Sequence, residues 1–114
     1  MAQRRSLGAL LRAIEEADTT DGRALAHFDL AVFHDNNGRE AEAVPHYESA
    51  LGLGLDNERN AEALAWLASS LFKTGRPQEA LKRLMEARNA TQDESLVRFL
   101  VGLERRVNRK LAKQ

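Results

Sequence analysis

From Leu96 onward, Phe99, Leu100, Leu103, Val107 and Leu111 follow one another at steps of three or four, and the positions between them are largely polar or basic. That is the spacing of one face of an α-helix. An apolar face of the same kind runs through Leu25, Phe28, Leu30, Ala31 and Phe33. Asp21 is placed to cap that helix, which the pattern carries to about Asn36. Asn36-Asn37-Gly38 closes it, because Asn and Gly tolerate the left-handed backbone beyond a helix end. A further helix is expected from about Arg39 to Leu51, until Gly52 and Gly54 break it. Asp56 caps the next one, which runs to Lys73 and ends at Thr74-Gly75. Pro77 falls in the first turn of the following helix, where its missing donor is harmless. Thr91-Gln92-Asp93-Glu94 has capping-box spacing and opens a last helix to about Ala112. With an amphipathic segment over residues 3–17, the pattern predicts six helices joined by short connections, as antiparallel neighbours require. Pro45, in the second turn of its helix, removes one backbone donor; either the helix kinks there or, the preferred reading, the proline is tolerated on the convex face.

The same side-chain classes return after a fixed offset. Gly38-Arg39-Glu40-Ala41-Glu42-Ala43 recurs as Gly75-Arg76-Pro77-Gln78-Glu79-Ala80, a displacement of 37. That displacement also carries Leu30-Ala31 to Leu67-Ala68, Tyr47 to Leu84 and Ala50 to Ala87. Taken backwards, it carries Ala43 to Ser6, Tyr47 to Leu10, Ala50 to Ala13 and Leu51 to Ile14. The order of small and large residues is kept. The physical reading is a stack of helix pairs: small residues let helices approach closely, large ones fill the space beside them, and neighbours bury what one pair cannot.

Composition agrees with helices and removes several chemistries. Hydrophobic residues are 43% and charged residues 30% of the 114, which suits a folded domain with a hydrated surface. No cysteine is present, so disulfides, thiolate metal sites and cysteine nucleophiles are excluded. Arg12, Glu15 and Glu16 interrupt the first apolar stretch at helical spacing, unlike the unbroken run of a secretory leader. No apolar run approaches the ~20 residues of a membrane span. The expectation is a cytoplasmic protein without membrane attachment. Net charge is zero but unevenly spread: residues 15–62 hold twelve acids against Arg23, Arg39 and Arg59, whereas residues 73–114 hold eleven bases against five acids.

The repeated residues resemble the tetratricopeptide repeat family. One set is Leu64, Leu67, Ala68, Leu71, Gly75, Ala80, Leu84 and Ala87, and a weaker set is His27, Leu30, Ala31, His34, Gly38, Ala43, Tyr47 and Ala50. His27 and His34 stand where large apolar residues are usual, and the proline that often closes a repeat is missing from both. The offset exceeds the family's commoner ~34 residues, and the extra length is accommodated in the turn from Gly52 to Asn60. The resemblance covers about residues 3–93. It implies an all-α solenoid of antiparallel helix pairs, six helices in a right-handed stack. The single domain then divides into a half-repeat helix (3–17), a first repeat (21–55), a second repeat (56–92) and a basic capping helix (93–114).

The resemblance also implies a concave groove lined by the first helix of each pair. That places Leu25, Phe28, Val32 and Asp35 in it from the first repeat, and Glu62, Ala65, Ser69, Phe72 and Lys73 from the second, with Trp66 alongside. Some relatives clamp a peptide's terminal carboxylate with Lys, Asn and Arg at such positions; Phe28 and Val32 occupy two of those places here, which argues against a clamp. An apolar, aromatic groove suits a helical or extended peptide segment of a protein partner. The bland alternative is that Phe28 and Val32 are simply packed under the first helix or a self-partner. On the last helix, Phe99, Leu103, Val107 and Leu111 run past the length a cap needs and are candidates for self-association as a homodimer. Its other side carries Arg98, Arg105, Arg106, Arg109, Lys110 and Lys113, which either form a hydrated face or contact nucleic acid. Nucleic acid is the lesser alternative, because the net charge is zero and Phe99 is the only aromatic on that helix.

No residue set argues for catalysis, a metal or a cofactor. His27 and His34 are two full helical turns apart, too far for paired metal ligation along one helix, and His46 belongs to the neighbouring helix. Leu51-Gly52-Leu53-Gly54 lacks a third glycine and a following lysine, and it follows a helix rather than a strand. Ser69-Ser70 sits mid-helix with no nucleophile elbow around it. A non-catalytic protein–protein interaction module is the function that remains.

Overall fold

The computed structural model describes residues 5–114. It contains α1 (Leu7–Glu16), α2 (Thr20–Asn36), α3 (Glu40–Leu53), α4 (Asn57–Lys73), α5 (Pro77–Ala90) and α6 (Glu94–Ala112). Residues 3 and 4 of the expected first helix lie outside the described residues. No strand occurs among the described residues, and no helix there is long and apolar enough to cross a membrane.

Most helix starts have a local cause. The side chains of Ser6, Thr19, Asp56 and Asp93 accept hydrogen bonds from the backbone amides of Ala9, Gly22, Arg59 and Leu96, satisfying donors that the helix leaves free. Two of these caps differ from the sequence expectation. Thr19, not Asp21, caps the start of α2, and Asp21 sits two positions inside, in the first turn, where its charge meets the positive end of the helix dipole. Asp93, not Thr91, caps α6; the Thr91 hydroxyl instead accepts from the Asp93 amide at 3.1 Å. Pro77 opens α5. Helix α3 runs on through Gly52 to Leu53, and Pro45 lies exposed within it without breaking it.

The turns inside the two helix pairs are the same object built twice. After α2, the amide of Gly38 donates to the Asp35 carbonyl and that of Arg39 to the His34 carbonyl at 2.9 Å. After α4, Gly75 donates to Phe72 and Arg76 to Leu71, again at 2.9 Å. Gly38 and Gly75 have φ of 72° and 80°, the left-handed geometry that such a C-terminal motif requires and that a side chain would strain.

Packing follows chain order. Each helix rests mainly on its neighbours in sequence, and α4 also touches α6. Stacking in one direction gives a body of 44 × 30 × 27 Å. The residues related by the displacement of 37 are interior in both copies: Leu30 and Leu67, Ala31 and Ala68, Ala43 and Ala80, Tyr47 and Leu84, Ala50 and Ala87. Removing one such leucine side chain from water is worth about 1.5–3 kcal/mol, while the alanines set how near the helices come. Burial is densest on α4, with eight buried residues, and thinnest on α1, where Leu10 alone is buried.

Within the first pair a polar contact joins α2 to α3. Tyr47 stands edge-on to Phe28, with ring centroids 6.3 Å apart. Its hydroxyl donates to Asp35 Oδ2 at 2.9 Å. Burial first, and then the neighbouring Asp35 carboxylate, push the phenol far above its ordinary ionisation range.

Candidate protein-binding site

Glu58, Glu62 and Trp66 recur every four residues on α4, which puts them on one stripe of that helix. The stripe faces Ser95, Leu96 and Phe99 at the start of α6, and the connection through Thr91, Gln92 and Asp93 closes one end. Between them lies a cleft of about 490 Å³. Its floor is aromatic: Trp66 and Phe99 meet edge to face, with centroids 5.2 Å apart and planes at 73°, the arrangement favoured by the ring quadrupoles. Both rings remain partly accessible. Its rim is acidic: Glu58, Glu62 and Asp93 line it, and among the described residues no lysine or arginine does. None of the three carboxylates is in a salt bridge among the described residues. The arrangement can hold an apolar or flat group against two rings and offer it hydrogen-bond acceptors.

The groove residues expected from sequence divide into three groups. Glu62 and Trp66 line this cleft. Leu25 stays 36% exposed and lines a separate hollow of about 460 Å³ with Asp21, Leu55, Asp56 and Arg59. Val32, Ser69 and Phe72 are half-buried, and Lys73 is exposed with its Nζ 3.9 Å from Glu40. Asp35 is committed to Tyr47. Phe28 and Ala65, at 9% and 0% exposure, belong to the core and offer a partner little or no surface. For these two the reading as a groove lining is corrected: α2 and α4 turn them toward the helices they pack on.

The stripe on α6 is corrected in the same way. Leu103 and Val107 are 1% and 0% exposed, and Leu111 packs half-buried against the core. The helix lies along α5 and touches α4, so its apolar side is used within the chain. Phe99 is the member of that set that reaches the cleft. Of the basic residues, Arg98 flanks a shallow depression with Val97 and Val101, and Arg105, Arg106, Arg109, Lys110 and Lys113 are exposed.

One cluster escaped the linear reading. His27 and His34 are two turns apart on α2, and the His46 ring from α3 lies between them. It stacks at 5.2 Å on His27 and at 6.0 Å on His34, with the Nδ1 atoms of His27 and His46 3.0 Å apart. The signal was available by counting outward from the turn at Gly38. His46 is eight residues after Gly38, and position 30, eight residues before Gly38, falls between the other two histidines. All three rings are held below their ordinary pKa, chiefly by burial. Arg23 adds to this at His27 and Arg39 at His34, where Glu42 opposes it; His46 feels His27 and His34. Arg39 Nε also donates to His34 Nδ1 at 3.2 Å. Among the described residues no group of three or more histidine or carboxylate side chains is arranged to hold a metal ion.

A stack of antiparallel helix pairs with duplicated turns and duplicated interior positions defines the class: a helical repeat scaffold. A family model described as "Tetratrico peptide repeat" matches residues 24–104. The chain belongs to the tetratricopeptide repeat family, whose members are protein–protein interaction modules. No curated protein and no solved structure matches it.

Proposed function

We propose that this chain is a non-catalytic adaptor that holds a segment of another protein in the cleft between α4 and α6. The observation that supports this most directly is the pair of partly accessible rings, Trp66 and Phe99, at the floor of a hollow of about 490 Å³. Aromatic anchors in concave sites are the usual centres of protein recognition energy. Along the same helix, Ser69, Phe72 and Lys73 extend the surface, and Leu25, Val32 and the hollow beside Leu55 continue it toward α2.

The test is a comparison of what co-purifies with the tagged wild-type chain and with Phe99→Asp, after far-UV circular dichroism shows that the variant is folded. Loss of partners from the variant is the expected result. A folded Phe99→Asp chain that keeps every partner would place the binding surface elsewhere. Salt-sensitive retention of DNA or RNA, abolished by Arg105→Glu with Arg109→Glu, would instead favour the exposed basic side of α6 as the working surface.

A further inference from the structure

We infer that the α4–α6 cleft selects a positively charged, arginine-bearing peptide segment of its protein partner. This rests on the reading of that cleft as the binding surface and adds the chemistry of what enters it. The first support is charge. Glu58, Glu62 and Asp93 line a hollow that no basic residue among the described ones lines, in a chain whose net charge is zero. The starts of α4 and α6 lie here too, and each contributes roughly half a positive charge. Three carboxylates against two such helix ends still leave about two negative charges unmatched. Asp93 and Glu58 are in the cap and first turn of their helices, where they serve those ends. Glu62 lies a turn further on, half-buried and without an ion pair among the described residues, so its charge is the one most available to a ligand.

The second support is shape. An edge-to-face pair leaves ring face open, and a ring face attracts a cation while carboxylates nearby accept its hydrogens. A guanidinium does both at once: its plane stacks on Trp66 or Phe99 while its N–H groups reach the Glu62 and Glu58 oxygens. An ammonium offers no plane to stack, so arginine is preferred to lysine. A carboxylate-bearing chain end would meet three acids and is rejected by like charge.

Trp66 is the single tryptophan of the chain, so its fluorescence reports occupancy directly. The probes are three capped peptides of alternating leucine with arginine, citrulline or glutamate; citrulline keeps the shape of arginine and removes its charge. The expected result is saturable change with the arginine peptide, little or none with the other two, and weakening by added salt. Glu62→Gln should weaken the arginine peptide about fivefold and Glu58→Gln by less, and Glu15→Gln with Glu16→Gln on α1 should leave it unchanged. Equal binding of the citrulline peptide, lost on Phe99→Ala, overturns the charge selection and leaves the cleft standing. Unchanged binding of the arginine peptide to a folded Phe99→Ala chain overturns the cleft itself. No response to the arginine peptide up to about 1 mM, or equal weakening by the α1 variants, overturns the inference. So does a concentration-dependent dimer that Arg105→Glu with Arg106→Glu dissolves and that blocks the peptide, since a second copy would then be the occupant.

Discussion

Replacing Tyr47 by phenylalanine removes one oxygen atom from a side chain that is 1% exposed. The ring stays against Phe28, so the packing of α2 on α3 is kept, and what goes is the 2.9 Å hydrogen bond to Asp35. A hydrogen bond to a charged group contributes about 1.5–3 kcal/mol net. Asp35 is only half-buried, and water replaces part of what it loses, so the cost should fall at or just below the bottom of that range, about 1–1.5 kcal/mol. For a domain of this size that lowers Tm by about 5 °C. Thermal melts and urea titrations followed by far-UV circular dichroism measure both quantities. A double-mutant cycle with Asp35→Ala isolates the contact, with a coupling energy of about 1 kcal/mol expected. The second helix pair supplies an internal comparison, because Leu84 and Phe72 stand at the positions equivalent to Tyr47 and Asp35. Tyr47→Leu combined with Asp35→Phe copies that apolar pair and should recover part of the stability lost by Tyr47→Leu alone. A Tm change below about 1 °C for Tyr47→Phe, or additive single variants in the cycle, would refute the view that this bond fastens α2 to α3.

Three other outcomes are expected. The histidine rings have folded pKa values below their unfolded one, so between those values the unfolded chain binds more protons and stability falls as pH drops below about 6.5; the fall in Tm between neutral pH and pH ~5.5 should shrink in His46→Gln, and an unaltered pH profile would contradict it. Ser70→Ala removes a buried hydroxyl that has no hydrogen-bond partner among the described residues and favours the helix, so stability should rise by about 0.5–1.5 kcal/mol in a urea titration. Gly38→Ala and Gly75→Ala meet no atom of the described residues within 4 Å, so each should lose only backbone energy, about 1–2 kcal/mol and equal at the two sites; a large inequality would show that the duplicated turns are not equivalent.

The displacement of 37 was readable from residue identities because packing constrains size: Ala31 and Ala68 are interior because a larger side chain would force the helices apart. The turn glycines and the cap at Asp56 were readable because their chemistry is local. What the linear pattern could not supply was the rotation of each helix about its own axis. It gave Phe28 and Ala65 to a groove and Leu103 and Val107 to a dimer, because an apolar stripe does not say which neighbour covers it. The cap of α2 shifted from Asp21 to Thr19 for a smaller reason, since both residues can accept the bond and the backbone path before the helix decides between them. The cleft was half legible: Glu62 and Trp66 were in the expected groove, but its other wall comes from Phe99, which the sequence assigned to a different surface.

The uneven burial along the stack bears on how the molecule comes apart. Helix α1 is held by α2 and contributes one interior side chain, Leu10, whereas α4 is gripped by α3, α5 and α6. In a linear array each unit is stabilised only by what it touches. Amides of α1 should therefore exchange with solvent deuterium through small local openings, while those of α4 should wait for global unfolding. A protease in dilute solution would nick the chain near Ala17 and Asp18 long before it reached the interior, and the trimmed body would retain its cleft.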